Sequence, residues 1–260
     1  MIEDVLRKDI VIIGKKLYEK NMVASNDGNI SVKINDNEVL ITPTGVSKGE
    51  LTESQLLKVD MAGNLIEGYM KPTSEMKMHL SVYQNRKDIN AVVHAHPQKA
   101  TAFAVANLCL DQISLPEVIF SIGKVSIAEY GTPSTDQIPN AVKKHIAHSD
   151  AILLANHGAL TIGEDLTDAY YKMETLEHFA AITIYSRILG GERFLDDSEK
   201  DELYKVREKV FGKSNKTFCD NCNECSSSNA VNSNMDSTIN CEKDLIENIV
   251  NKVLEKFNGG

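Results

Sequence analysis

Apolar residues recur every three or four positions in some stretches of the chain and form short continuous or alternating runs in others. Val5, Leu6, Ile10, Ile13 and Leu17 share one side of a helical wheel, so the N-terminal segment predicts an amphipathic helix. The SNDGN turn follows, and NISVKI and EVLITP read as two short strands. PTSEMKMHLSVYQ opens with Pro-Thr-Ser before a helical run, a helix-start signal that puts Glu75 in the first turn. AVVHAH is a β-rich run ending in two histidines, and Pro97 after it starts another helix. AILLANHG reads as a second buried strand ending in Asn-His-Gly. DLTDAYYKMETLEHFAAITIYSRILGG reads as a long helix stopped by a glycine pair. Strands interleaved with helices predict an α/β layered fold.

The pattern breaks near residue 213. Residues 214–240 are dominated by Asn, Ser, Asp and Cys, show no period and carry few apolar side chains, which reads as a flexible linker. Residues 241–260 recover a helical pattern. Leu245, Ile246, Ile249, Val250, Val253, Leu254 and Phe257 form one apolar stripe, with Glu, Lys and Asn opposite. A helix this short is marginal alone in water, so the stripe expects a partner: the body of the chain, a sister subunit or another protein. The organisation is therefore a body over 1–213, a linker over 214–240 and an amphipathic targeting or docking helix over 241–260.

Composition narrows the classes. Of 260 residues 42% are apolar and 25% charged, as in an ordinary globular chain rather than a disordered one. No apolar run approaches the ~20 residues of a membrane span. The N-terminus carries acids where a secretory signal would be basic, so export is not expected. A net charge of -9 without a basic stripe argues against nucleic acid and anionic membranes as partners. Cys109 is the single thiol of the body, which expects a reducing, cytoplasmic setting. Cys219, Cys222, Cys225 and Cys241 sit near the end. Their spacing fits a zinc or iron–sulfur site, or a polar linker with adventitious thiols, which is the preferred reading.

The chemistry concentrates in the histidines. On a strand, residues i and i+2 face the same way, so His94 and His96 can chelate one cation. Taken alone, a His-X-His pair fits two partly exposed histidines at a strand end equally well. His157 also ends an apolar run, and three neutral imidazoles with one open position is a common pattern for catalytic zinc. Glu75 is the fourth candidate ligand, although by itself it also fits a helix-capping acid. His79 stands one helical turn beyond Glu75 and can orient that carboxylate. His145 and His148 read as solvent-facing residues on a charged helix, and His178, mid-helix, as a packing or surface residue.

A second set suits an anion. Gly28-Asn29, Thr44-Gly45 and Thr73-Ser74 are short turns at strand or helix ends, where backbone N–H groups and hydroxyls converge. The helix start after Ser74 adds a favourable dipole. Each is an ordinary turn in isolation; beside a metal site they suggest a phosphorylated substrate.

These motifs resemble the class II aldolase/adducin family, most closely its L-fuculose-1-phosphate aldolases. The resemblance spans roughly residues 1–211 and rests on SNDGNIS, TPTG, TSE, HAH and NHG in the family order. It implies a three-layer α/β/α fold with a central, mainly antiparallel sheet, and a homotetramer with active sites between neighbouring subunits. It implies that His94, His96 and His157 bind one Zn²⁺ per subunit, that Glu75 is the acid/base and a resting ligand, and that Gly28, Asn29, Thr44, Gly45, Thr73 and Ser74 hold the substrate phosphate. The family's ribulose-phosphate 4-epimerases carry Asp where Glu75 stands, which favours an aldolase.

The implied reaction is cleavage of a ketose 1-phosphate, such as L-fuculose 1-phosphate, to dihydroxyacetone phosphate and an aldehyde such as lactaldehyde. One position departs from the family: Phe120 stands where a proton-donating Tyr crosses from a neighbour, and Glu117 is the nearby carboxyl that can substitute. An epimerase, a methylthioribulose-phosphate dehydratase and a non-catalytic adducin-like scaffold are the alternatives. The linker-tethered helix 241–260 resembles the encapsulation peptides of bacterial microcompartment enzymes, which implies a shell protein as partner and a location inside such a compartment.

Overall fold

The computed structural model describes residues 2–110 and 112–211. The expected linker, the C-terminal helix and Cys219, Cys222, Cys225 and Cys241 lie outside the described residues.

Eight strands form one sheet: β1 (Asn29–Lys33), β2 (Glu38–Ile41), β3 (Leu57–Asp60), β4 (Leu65–Glu67), β5 (Ala91–Ala95), β6 (Val125–Ala128), β7 (Ala151–Leu154) and β8 (Gly158–Gly163). Their order is β4-β3-β2-β1-β5-β8-β7-β6. Every pair is antiparallel except the parallel β6–β7 edge. The helices are α1 (Ile2–Glu19), α2 (Met76–Asn85), α3 (Gln98–Ala106), α4 (Pro116–Ser121), α5 (Gln137–Lys143), α6 (Leu166–Ile188) and α7 (Asp197–Phe211).

Helices cover both faces of the sheet, and each face has its own core. On one side Ile10, Ile13 and Leu17 of α1, Phe103 of α3 and Met173, Leu176 and Phe179 of α6 pack against Val93, Ala95, Leu153 and Ala159. On the other, Met78, Val82 and Tyr83 of α2 and Ile138 and Val142 of α5 pack against Val39, Ile41, Val92, Ile152 and Leu160. This is the expected three-layer, mainly antiparallel α/β fold. The strands buried on both faces read as continuous apolar runs for this reason.

Three local expectations change. Val5 is exposed, because α1 presents the stripe from Leu6 to Leu17 to the core and leaves Val5 beside it. The strand expected over AILLANHG is shorter and opens a hairpin: β7 stops at Leu154, and Asn156 takes a left-handed φ of 57° to turn the chain into β8. His157 therefore sits in the turn. Glu75 stands at the position just before α2, at φ -102° and ψ 14°, instead of lying in its first turn.

The register decides where the histidines point. Val93 and Ala95 face the α1–α6 core, whereas Val92 joins the α2–α5 core. Period-two alternation then turns His94 toward the α2 layer, where Glu75 stands.

Candidate metal centre and active site

His94 is fully buried on β5, and His96 lies just past the end of that strand, half-buried. The β7–β8 turn carries His157 to the same point. The ring centroids are 4.9 Å apart for His94–His96, 4.8 Å for His94–His157 and 5.0 Å for His96–His157. One ring nitrogen from each lies within 4.8 Å of the others.

The chemistry of the trio fits a cation. His94 Nδ1 is 2.9 Å from the Ala159 carbonyl, which can only accept, so Nδ1 carries the proton. In neutral His94 the Nε2 lone pair is then left facing His96 Nε2 at 3.1 Å. Fixing the outer nitrogen by a backbone carbonyl is how metal-ligating histidines are held. Asp27 Oδ2 stands 3.4 Å from His96 Nδ1 and performs the same service less tightly.

Glu75 closes the fourth side. Its Oε2 is 3.2 Å from His94 Nε2 and accepts from Asn29 Nδ2 at 2.8 Å. Its Oε1 is 3.4 Å from His157 Nε2 and has no hydrogen-bond donor among the described residues. The carboxylate makes no capping bond to α2, so the helix-cap reading of Glu75 is set aside. The three imidazoles are a donor set for one metal ion, and the incompletely bonded Glu75 carboxylate stands against two of them.

The charges are coupled. Burial pushes the Glu75 carboxyl up, but His94, the Asn29 amide and His157 outweigh it and hold the group well below the usual carboxylate range. Burial pulls His94 down and Glu75 more than restores it, raising it overall. Burial and the His94 and His157 charges push His96 down to about 4. His157 is lowered by burial and by His94.

Glycine makes the close packing possible. A Cβ on Gly158 would meet His96 Cδ2 at 2.5 Å and Ala95 O at 2.7 Å. Gly28, at φ +74°, leaves 2.9 Å between a would-be Cβ and the His94 carbonyl. The first turn of α3, just after His96, is anchored from α6, where the Glu177 carboxylate accepts from Lys99 N at 3.0 Å and Ala100 N at 2.9 Å.

The three candidate anion turns come together at the same end of the sheet. Thr44 N donates to Lys71 O at 3.0 Å, Thr73 N to Thr42 O at 3.2 Å, and Thr42 N to Ile30 O at 3.1 Å. Thr44, Gly45 and Ser74 are exposed, while Thr73 is buried with its Oγ1 accepting from Glu75 N at 3.3 Å. The Asn29 amide is committed to Glu75 and His79. Glu117 lies apart from this cluster, exposed in the first turn of α4, with Phe120 half-buried on the same helix. His148 and His178 are exposed, as expected, and His145 is partly buried beyond α5.

Sequence reasoning missed Asp27 beside His96 and the buried Ser31, Tyr83 and Lys48. Asp27 lies in a quoted motif, but only the fold turns it toward a ligand.

The family model for the class II aldolase and adducin N-terminal domain matches residues 8–184. The chain belongs to the class II aldolase and adducin family. An L-fuculose phosphate aldolase of Methanococcus maripaludis strain C5 is 38% identical over 174 residues, covering 67% of this chain and 93% of that protein. A 3-oxo-tetronate 4-phosphate decarboxylase of Haemophilus influenzae is 33% identical over 210 residues, covering 77% of this chain and 97% of that protein. A solved L-fuculose 1-phosphate aldolase superposes with a TM-score of 0.73, with 34% identity, covering 79% of this chain and 96% of that one. Membership of the class II aldolase family supports a lyase, and the His94/His96/His157 cluster can hold the metal that the family's chemistry uses.

Proposed function

We propose that this chain is a zinc-dependent aldolase that cleaves a ketose 1-phosphate, L-fuculose 1-phosphate first among candidates, to dihydroxyacetone phosphate and an aldehyde. The observation that carries this reading is Glu75: a largely buried carboxylate against His94 and His157 of the histidine trio, with one oxygen free of hydrogen bonds. His94, His96 and His157 would hold the ion, with Glu75 as a resting ligand. When bound, Zn²⁺ would act as a Lewis acid toward the substrate carbonyl and hydroxyl oxygens.

The chain's own groups would do the rest. Glu75 exchanges the proton at the carbon where the bond forms or breaks. Burial works to raise its carboxyl toward a useful base strength, and neighbouring positive charge works against it. The turns at Gly28-Asn29, Thr44-Gly45 and Thr73-Ser74 receive the phosphate through backbone N–H groups and hydroxyls. Glu117 is proposed as the proton donor delivered by a neighbouring subunit of a homotetramer, since Phe120 cannot donate.

A decarboxylase reading has its own support, because the Haemophilus influenzae relative covers more of this chain than the archaeal aldolase does. Both reactions leave an electron pair beside a carbonyl that the same site would stabilise. Purified, zinc-loaded protein is tested for dihydroxyacetone phosphate release from L-fuculose 1-phosphate and for CO₂ release from 3-oxo-tetronate 4-phosphate. Glu75→Gln should retain metal and lose cleavage; wild-type turnover in that variant overturns the assignment.

Residues 1–213 are proposed as the catalytic body, 214–240 as a tether and 241–260 as a helix that docks on a microcompartment shell protein. A fluorescent protein fused to 241–260 should concentrate in cells with assembled shells; diffuse fluorescence there counts against it.

A further inference from the structure

Behind Glu75 runs a line of polar side chains, of which the proposed phosphate site takes in only Asn29. Asn29 and Ser31 are buried on β1, and His79 and Tyr83 are buried on α2, all 4% exposed or less. A two-residue step along a strand advances about 6.7 Å and a four-residue step along a helix about 6 Å. The strand pair 29 and 31 can therefore interleave with the helix series 75, 79 and 83. The contacts follow in order: Asn29 Nδ2 to Glu75 Oε2 at 2.8 Å, His79 Nε2 to Asn29 Oδ1 at 2.5 Å, Ser31 Oγ to His79 Nδ1 at 2.7 Å, and Ser31 Oγ to Tyr83 OH at 2.7 Å.

We infer that these four side chains form a one-way hydrogen-bond chain, Tyr83 to Ser31 to His79 to Asn29 to Glu75, in which His79 is a positioning residue for the carboxylate.

The donor inventory fixes every direction. An ionised carboxylate only accepts, so the Asn29 NH₂ group points at Glu75. The amide oxygen then faces His79 and can only accept, so His79 Nε2 carries the proton. His79 is fully buried and pushed down to about 3 by its burial and by His94, so it is neutral and Nδ1 is a lone pair. Ser31 must donate to that lone pair, and its one proton is then used. Tyr83 must donate to Ser31. No link can reverse alone without setting two donors or two acceptors against each other. If Asn29 flipped, its oxygen would face the carboxylate, and the His79 Nε2–H is what opposes that flip.

This inference rests on Glu75 being the acid/base, and its test separates the two. In ¹⁵N-histidine NMR of the full-length, metal-loaded protein, with His79 assigned by the His79→Leu variant, His79 should be neutral with its proton on Nε2. A proton on Nδ1 overturns the chain whatever the enzyme does. Kinetics with L-fuculose 1-phosphate form the second arm. His79→Leu should lower kcat roughly 10–100-fold, with KM and metal content near wild type. His79→Gln, whose amide can still donate to Asn29 Oδ1, should recover most of the loss. Equal kcat in wild type and a folded His79→Leu variant overturns the positioning role, as does a His79→Gln variant no better than His79→Leu. If Glu75→Gln proves fully active, the base assignment falls while the His79 tautomer is still decided by NMR.

Discussion

His94 Nδ1 donates to the Ala159 carbonyl at 2.9 Å, across the β5–β8 ladder that pairs Ala95 with Ala159. The bond turns a strand histidine into a preset ligand, because Nε2 is left as a lone pair aimed at His96 and Glu75. Replacing His94 by Leu should bring bound divalent metal from about one ion per chain to near zero. Elemental analysis after dialysis checks this; undiminished metal would show that His94 is not a ligand.

Gly158→Ala forces a methyl group to within 2.5 Å of His96 Cδ2 and 2.7 Å of the Ala95 carbonyl. One contact is with a ligand ring and the other with backbone, so His96 must move. Metal affinity, measured by competition with a chromophoric chelator, should fall about 10–100-fold. Stability should fall by about 1–3 kcal/mol.

His79 makes folding sensitive to acid. Burial holds its folded pKa at about 3, below the ordinary value of 6.5. Between those values the unfolded chain binds the extra proton, so this group's contribution is complete above pH 6.5 and declines as pH falls toward 3. Urea midpoints followed from pH 7 to pH 4.5 should drop more steeply in wild type than in His79→Leu.

Lys48 acts in the same direction at alkaline pH. It is 1% exposed, and its Nζ donates to Val46 O at 2.6 Å and Asn26 O at 3.2 Å, tying two of the anion turns together. Burial pushes it down to about 8, against an ordinary 10.5. The unfolded chain again binds more protons between these values, so stability rises from pH 8 toward 10.5 by up to ~3 kcal/mol. Comparing wild type with Lys48→Met at pH 7.5 and 10 isolates that rise, and a constant difference between the two proteins would refute it.

Much of the site was legible because the chain clusters its motifs at element ends. HAH closes β5, TSE opens α2, and both followed from local pattern. The β7–β8 hairpin was not legible, since two buried strands joined by Asn-His-Gly give one unbroken apolar run with no polar alternation to divide it. Strands β3, β4 and β6 and helices α4 and α7 were likewise unread, being short or weakly patterned, and the charged helix expected to carry His145 and His148 ends before them, at Lys143. Asn29 looked like part of a phosphate turn, and the structure commits its amide to Glu75 and His79. His79 was expected to meet Glu75 directly, and it acts on that carboxylate through Asn29.

The sequence by itself determined the ligand types, the layered α/β class and the strand alternation that sends His94 and His96 the same way, because these depend on side-chain chemistry and on neighbours within a few residues. Only the tertiary structure decided that β8 pairs with β5, that the hairpin turn brings His157 beside His94, and that Asn29 and Ser31 interleave with His79 and Tyr83. Those contacts join positions 46 to 65 residues apart. Their geometry comes from strand order and register, which no local pattern encodes.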